Sequence, residues 1–165
     1  MDKSAILMGK KILIVDDERD VLESLIELLG MCKIDTASTF KDAIRLPEGQ
    51  SYEIVVLDIM GVEGFKLLDT ATDKNIPAIM LTAHALSEEN LKKSAREGAA
   101  YFAPKEKMID IGIYIADVLI ALEKKKSTWS KWFERLGHYY DSRFQGTNWR
   151  EDEKEFWRKK LKARF

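Results

Sequence analysis

Five short segments of the chain read as strands: residues 11–16, 33–37, 52–57, 78–82 and 100–103. Several are near-continuous apolar runs, the pattern expected where helices cover both faces of a sheet. Helical patterns fill the gaps. Val21, Leu22, Leu25, Ile26, Leu28 and Leu29 make an apolar stripe that Gly30 stops, and Ser38 or Thr39 precedes a short helix through Ile44 that Pro47 and Gly49 end. Phe65, Leu67 and Leu68 mark a third helix, Ser87 caps a polar fourth that runs to Glu97 before Gly98, and Met108 to Leu122 form an apolar-rich fifth. Five alternating strand–helix units predict an α/β fold, a doubly wound parallel sheet with strand order 2-1-3-4-5.

Beyond residue 122 the pattern changes. Trp129, Trp132, Phe133, Leu136, Tyr140 and Phe144 recur at helical spacing, which predicts an amphipathic helix over 128–145, weakened at Gly137 and broken by Gly146. Asn148 with Glu151 three residues later resembles a capping box; acids crowd the next turn and bases the end, so a second helix is expected over 149–163. Charge divides at the same place. Residues 1–122 hold 14 Lys and Arg against 21 Asp and Glu, and residues 123–165 hold 13 against 7. The split predicts a first domain of residues 1–125 and a basic, Trp-rich helical extension of residues 126–165. Because large aromatics are normally buried, the extension is expected to be a helical hairpin packed on the rest of the chain or on a second copy. A partner-docking helix and an interfacial membrane helix are the sharper alternatives. Nucleic acid ranks last, since basic residues beside aromatics are an unspecific signal.

At 165 residues there is room for one domain with a proper core and one appendage. The N-terminal apolar stretch AILM is too short for a signal peptide, and IGIYIADVLIAL is too short to span a bilayer and contains Asp117, so a cytoplasmic protein is expected. Cys32 is single and reads as a small buried hydrophobe.

The strand ends carry the chemistry. Asp16 and Asp17 close KILIVDD, Asp58 closes YEIVVLD, Thr82 ends AIMLT and Lys105 follows AYFAP. In an open parallel sheet these ends share one rim, where such folds place their sites. Three carboxylates suit a divalent cation, and Mg²⁺ prefers a few hard oxygens with several retained waters. A carboxylate can also attack phosphorus to give an aspartyl phosphate if cations neutralise the transferring group. Singly each residue is ordinary: an Asp pair starts a helix, Thr82 ends a strand, a Lys after a strand is surface, Phe102 is core. The ordered set is the signal.

This set resembles the bacterial response-regulator receiver family over roughly residues 10 to 125. The resemblance implies a flavodoxin-like (βα)5 fold and a phosphorylation-controlled switch of a two-component system, fed by a sensor histidine kinase or phosphotransfer protein. It implies Asp58 as phosphoacceptor, Asp17 as a direct Mg²⁺ ligand, Asp16 as one acting mostly through water, and Met60 as donor of a backbone carbonyl to the metal. Lys105 would pair with the phosphoryl group and Thr82 would hydrogen-bond it. Phe102 sits at the family's aromatic switch position, with Tyr101 the adjacent alternative. Such a protein catalyses only its own phosphoryl transfer and dephosphorylation, and the family often signals through its fourth helix, fifth strand and fifth helix. A homodimer or an output partner reached through the extension is the expected consequence.

Two stretches depart from the family. LDIMGVEGF is two residues shorter after the acceptor than the usual Met-Pro segment, and Glu106 stands where a Pro usually follows the Lys. A cis Lys105–Glu106 bond would therefore have to be held without proline, at about 2.5–4 kcal/mol. Polar side chains two after the acceptor and two after the Thr can orient water for dephosphorylation; here these are Met60 and His84, and slow self-dephosphorylation is expected. A phosphatase of the haloacid-dehalogenase type also uses an Asp nucleophile, but it needs a general acid where Met60 stands. A phosphorylation-independent scaffold is the remaining alternative, which the complete residue set disfavours.

Overall fold

The computed structural model of the chain describes residues 3–49, 51–83 and 87–162. Its elements are α1 (Lys3–Leu7), β1 (Lys11–Val15), α2 (Arg19–Leu28), β2 (Lys33–Ala37), α3 (Phe40–Gly49), β3 (Ile54–Leu57), α4 (Gly64–Asp73), β4 (Ala78–Thr82), α5 (Glu88–Arg96) and β5 (Tyr101–Pro104). A 3-10 segment (Lys105–Asp110), α6 (Ile111–Glu123), α7 (Thr128–Arg143), α8 (Trp149–Asp152) and α9 (Lys154–Lys162) follow. The strands form one parallel sheet in the order β2-β1-β3-β4-β5, as the alternation predicts. β3, β4 and β5 are buried at every position, which is why their sequences lack alternation. β2 is an edge strand with Lys33 and Thr36 exposed, and its half-buried Asp35 accepts a hydrogen bond of 2.7 Å from the buried Tyr52.

Several boundaries differ from the sequence pattern. β3 begins at Ile54, because the Glu53 carboxylate turns back to accept from the Lys11 backbone N–H at 2.9 Å. α3 runs through Pro47 to Gly49, two residues past a proline that removes one backbone donor without ending the helix. Met108 lies in the 3-10 segment, and the fifth helix starts at Ile111. α1 has no counterpart in the expectations, since five residues are too few to show a period; Leu7 at its end is buried in the core. Cys32 is half-buried, its thiol donating to the Leu7 carbonyl at 3.4 Å.

The extension packs on β5 and α6. Ser127 caps α7, accepting from Ser130 N–H at 3.2 Å, and its hydroxyl donates to the Lys160 carbonyl at 2.7 Å, which ties both ends of the extension together. Trp129, Trp132, Tyr140, Trp149 and Trp157 are all buried, and Trp132 stacks on Tyr140 and Trp157 with ring centroids 5.2 and 6.0 Å away. The aromatic face on which an interfacial membrane helix would depend is thus inside the fold, and no helix among the described residues is long and apolar enough to cross a membrane. Asp117, buried in α6, accepts from Arg135 Nε and Nη2 of α7 at 2.5 and 3.0 Å and from the Tyr101 hydroxyl at 3.2 Å. A carboxylate in an apolar helix is tolerated only when paired this fully.

Gly137 does not interrupt α7, which runs unbroken through it. A Cβ there would lie 2.6 Å from Arg150 Nη2, so the glycine makes room for the guanidinium that pairs with Asp141 at 2.9 Å. The capping box at Asn148 does not form, since that side chain makes no capping bond, and the expected single helix breaks at Glu153 into α8 and α9. The break lets Trp149 and Trp157 face one cluster, their rings 5.9 Å apart.

Candidate functional site

Register brings the acids together. Val15 of β1 is level with Leu57 of β3, so the residues that follow, Asp16 and Asp58, emerge side by side from neighbouring central strands. Backbone bonds hold both: Asp16 N–H donates to the Ala37 carbonyl at 3.1 Å and Asp58 N–H to the Val15 carbonyl at 3.0 Å. Thr82 is level with Pro104, which sets Lys105 one step beyond the threonine on the next strand. Lys105 reaches back across the rim: its ammonium lies 2.9 Å from Asp16 Oδ2, 3.0 Å from Glu18 Oε1 and 3.3 Å from Asp58 Oδ1.

Burial decides the electrostatics. Asp58 is 5% exposed, and desolvation, reinforced by the neighbouring Asp16 charge and opposed by Lys105, pushes its pKa up to about 6. Asp58 is therefore mostly ionised at neutral pH, yet held in a costly charged state. Asp16 is raised as well, again by burial, even though Lys105 and the Glu18 N–H favour its carboxylate. Lys105 is pulled down by burial but lifted further by its bonds to Asp16 and Glu18, so it stays charged.

Asp17 points into the open, and the rebuilt loop after Asp58 is pressed against it. A Cβ on Gly61 (φ +84°) would fall 2.3 Å from Asp17 Oδ2, and one on Gly64 would fall 2.1 Å from the Asp58 carbonyl oxygen. The shortened loop thus depends on glycine at two places, with Glu63 between them in the left-handed region and α4 starting directly against Asp58. Carboxylate oxygens of Asp16, Asp17 and Glu18 lie within 4.8 Å of one another, a hard-oxygen set that fits Mg²⁺. Both Asp16 oxygens are already engaged, one by Glu18 N–H at 2.8 Å and one by Lys105, whereas Asp17 is exposed. Asp17→Asn is accordingly expected to weaken Mg²⁺ binding by more than Asp16→Asn does, a ranking that calorimetric titration checks.

Thr82 is fully buried at the end of β4, and Phe102 is fully buried in β5 with its ring 5.8 Å from that of Tyr140. Tyr101 is equally buried and hydrogen-bonded to Asp117. Met60 is 56% exposed beside the site, and His84 lies outside the described residues. The Lys105–Glu106 bond is trans, as are all described peptide bonds. Sequence reasoning missed Glu18. It reads as part of a solvated charged run, but at the start of α2 its backbone is extended and its carboxylate turns in to Lys105. The run of three acids directly after a strand was the available signal.

The response regulator receiver domain model matches residues 12–111. The chain belongs to that family. Among curated proteins it is 30% identical over 104 residues to the two-component response regulator ARR18 of Arabidopsis thaliana, covering 59% of this chain and 16% of that relative. The narrower label "bacterial" does not follow from such a relative, and the chain spans under a fifth of its length. Among solved structures, the receiver domain of the Francisella response regulator 1452 superposes with a TM-score of 0.59 at 26% identity, covering 67% of this chain and 96% of that one. A CheY-like receiver protein from Methanospirillum hungatei gives 0.58 at 25%, covering 66% and 94%. Receiver domains of this family bind Mg²⁺ at an acidic pocket and interact with histidine kinases and phosphotransfer proteins. The family match ends at residue 111, before α7 begins.

Proposed function

We propose that this receiver is a phosphorylation-controlled switch in which Asp58 takes a phosphoryl group from the phosphohistidine of a kinase or phosphotransfer protein. The observation that carries the reading is the single ammonium of Lys105 placed 3.3 Å from Asp58 and 2.9 Å from Asp16 on the sheet rim. In the transfer an Asp58 oxygen bonds to phosphorus as the bond from phosphorus to the donor imidazole nitrogen breaks. The nitrogen keeps the bonding pair and takes up a proton, so no oxidant or reductant is involved. Lys105 neutralises the arriving charge, and Thr82 supplies a hydroxyl from the end of β4, the strand between those that carry Asp58 and Lys105. Mg²⁺, when bound, offsets the remaining charge on the phosphoryl oxygens. Asp17 and Asp58 would hold it directly, Asp16 through water and Met60 through its backbone carbonyl.

Residues 1–125 form the receiver in this reading and residues 126–165 the element that couples it to a partner or a second copy, in the cytoplasm where a histidine kinase presents its phosphoryl group. The chain acts as a switch rather than as an enzyme on other substrates. A phosphatase would need a proton donor at Met60, and a thioether cannot supply one. Mass spectrometry after incubation with acetyl phosphate and Mg²⁺ tests the assignment: one phosphoryl group on Asp58 is expected, and label on any other residue overturns it.

The same site sets the lifetime of the acyl phosphate. Hydrolysis needs a water in line with the departing carboxylate, and the exposed Met60 cannot orient one. Met60→Asn is expected to speed the loss of the phosphoryl group several-fold, measured as decay of labelled protein after the donor is removed. An unchanged rate would take this role away from position 60.

A further inference from the structure

Two lysine clusters far apart in the sequence share one face. The Ser127 hydroxyl donates to the Lys160 carbonyl at 2.7 Å, which sets the turn after α6 against the last turns of α9. That turn carries Lys124, Lys125 and Lys126, all exposed, and α9 carries Lys159, Lys160 and Lys162. Neighbouring cations of the extension are answered: Lys131 lies 3.6 Å from Glu134, and Arg158 lies 2.7 Å from Glu155. None of the six lysines has a carboxylate partner among the described residues. Lys160 is half-buried, and burial pulls its pKa below the ordinary lysine value. Between Lys160 and Lys162, Leu161 is 41% exposed. Cations at one helix C-terminus ordinarily complement its dipole. Here the ends of two helices are bonded together, so their charges add on one surface. The surface is also far from the sheet rim. α6 leads away from the rim for 13 residues, about 20 Å. α7 then returns, and the Tyr139 hydroxyl donates to Glu106 beside Lys105. The lysines therefore stand at one end of the molecule and Asp58 toward the other.

We propose that this lysine face docks the protein on an anionic membrane surface, leaving the rim that carries Asp58 turned toward solvent. The inference does not depend on which residue takes the phosphoryl group. The occupant follows from what the face has and lacks. Lysine is a compact point charge suited to a diffuse anionic surface, whereas bidentate recognition of single phosphates or carboxylates uses arginine forks, and Arg158 is already taken by Glu155. Single-stranded nucleic acid needs exposed rings on which bases stack, and Trp129, Trp132, Trp149 and Trp157 are all buried. An acidic peptide needs a groove. The cavity of about 340 Å³ beside the extension lies against α5 and is lined by Glu88, Glu89, Asp152 and Glu153, which repel such a segment. An exposed leucine among lysines fits an interface where apolar contact adds to charge attraction. The rest of the chain sets the orientation. Residues 1–122 hold 14 Lys and Arg against 21 Asp and Glu, so an anionic surface attracts the lysine end and repels the receiver.

Sedimentation of the full chain with vesicles of phosphatidylcholine containing about one third phosphatidylserine is the test, since each lysine near such a surface contributes about fivefold to binding. Binding is expected to these vesicles and not to pure phosphatidylcholine. It should fall away at about 1 M salt, where the screening length drops to about 3 Å. Two double variants, Lys124→Gln with Lys126→Gln and Lys159→Gln with Lys162→Gln, are each expected to weaken binding by about 25-fold. Lys41→Gln with Lys66→Gln removes as much charge from the exposed first turns of α3 and α4, on the rim side. Standing beyond a screening length from the surface, that pair should change binding by less than about twofold. Failure to bind the anionic vesicles, equal binding to neutral ones, or an equal loss in the Lys41 and Lys66 variant overturns the proposal. Tighter binding to duplex DNA than to the anionic vesicles at the same salt also overturns it and assigns the face to nucleic acid.

Discussion

Asp58→Asn is expected to abolish phosphoryl incorporation from acetyl phosphate and, in Mg²⁺-free buffer at pH 7.5, to make the protein more stable by about 2–3 kcal/mol. Loss of a catalytic carboxylate and gain of stability come from one cause. Asp58 is nearly inaccessible to solvent, sits beside Asp16 and Asp17, and is only partly relieved by Lys105, so its pKa stands at about 6. A folded-state value above the unfolded one of about 3.9 means that the folded protein binds the proton more tightly. The stability this confers is complete below about pH 4 and is lost as pH rises through 6. Asparagine mimics the protonated form and keeps that stability at every pH. Urea denaturation at pH 7.5 should therefore show the gain, and at pH 4 it should shrink toward zero, since the wild-type carboxyl is then neutral too. A gain of equal size at both pH values would place its origin outside the titration of Asp58. Saturating Mg²⁺ should also erase it, because the cation supplies the charge that Lys105 does not.

The strands and the site could be read from the sequence for the same reason. Strands buried on both faces have to be continuously apolar, so β3 and β4 announce themselves, and the polar residue that ends such a run, Asp58 or Thr82, is at once the strand boundary and the rim. Parallel topology then fixes which ends meet. What local pattern could not show was direction of side chains outside the sheet. Glu18 lies in a charged run whose ordinary fate is solvent; it stays exposed, and only the position of Lys105, 87 residues away, gives its carboxylate a partner at the rim. Glu106 was visible as a departure from the family pattern, but its partner Tyr139 is 33 residues further on. Likewise the use made of Gly137 was hidden because Arg150, which takes the space beside it, belongs to another element. The aromatic spacing of the extension did predict burial; it could not choose between β5 of the same chain and a second copy.

That choice gives the other large effect. Trp132→Ala is expected to destabilise the protein by about 4–5 kcal/mol, near the top of the range for truncating a buried aromatic. Trp132 is fully buried and packs against Trp129, Phe133, Tyr140, Trp149 and Trp157, with ring centroids between 4.9 and 6.1 Å. Its removal leaves a cavity bordered by rigid rings that cannot collapse into it, and it takes away the indole donor that reaches the Phe102 carbonyl at 2.7 Å. Trp132→Phe separates the two contributions: most of the ring area remains, the Tyr140 hydroxyl still serves that carbonyl at 3.3 Å, and the loss should fall to about 1–2 kcal/mol. Lys131→Ala, one residue away on the outer surface, should change stability by less than about 0.5 kcal/mol. Thermal denaturation of the three variants checks the order. If Trp132→Ala unfolds at the wild-type temperature, the extension contributes nothing to the cooperative fold and the aromatic cluster is not part of its core. If the loss appears as a separate early transition, the extension unfolds on its own from a receiver that stays intact.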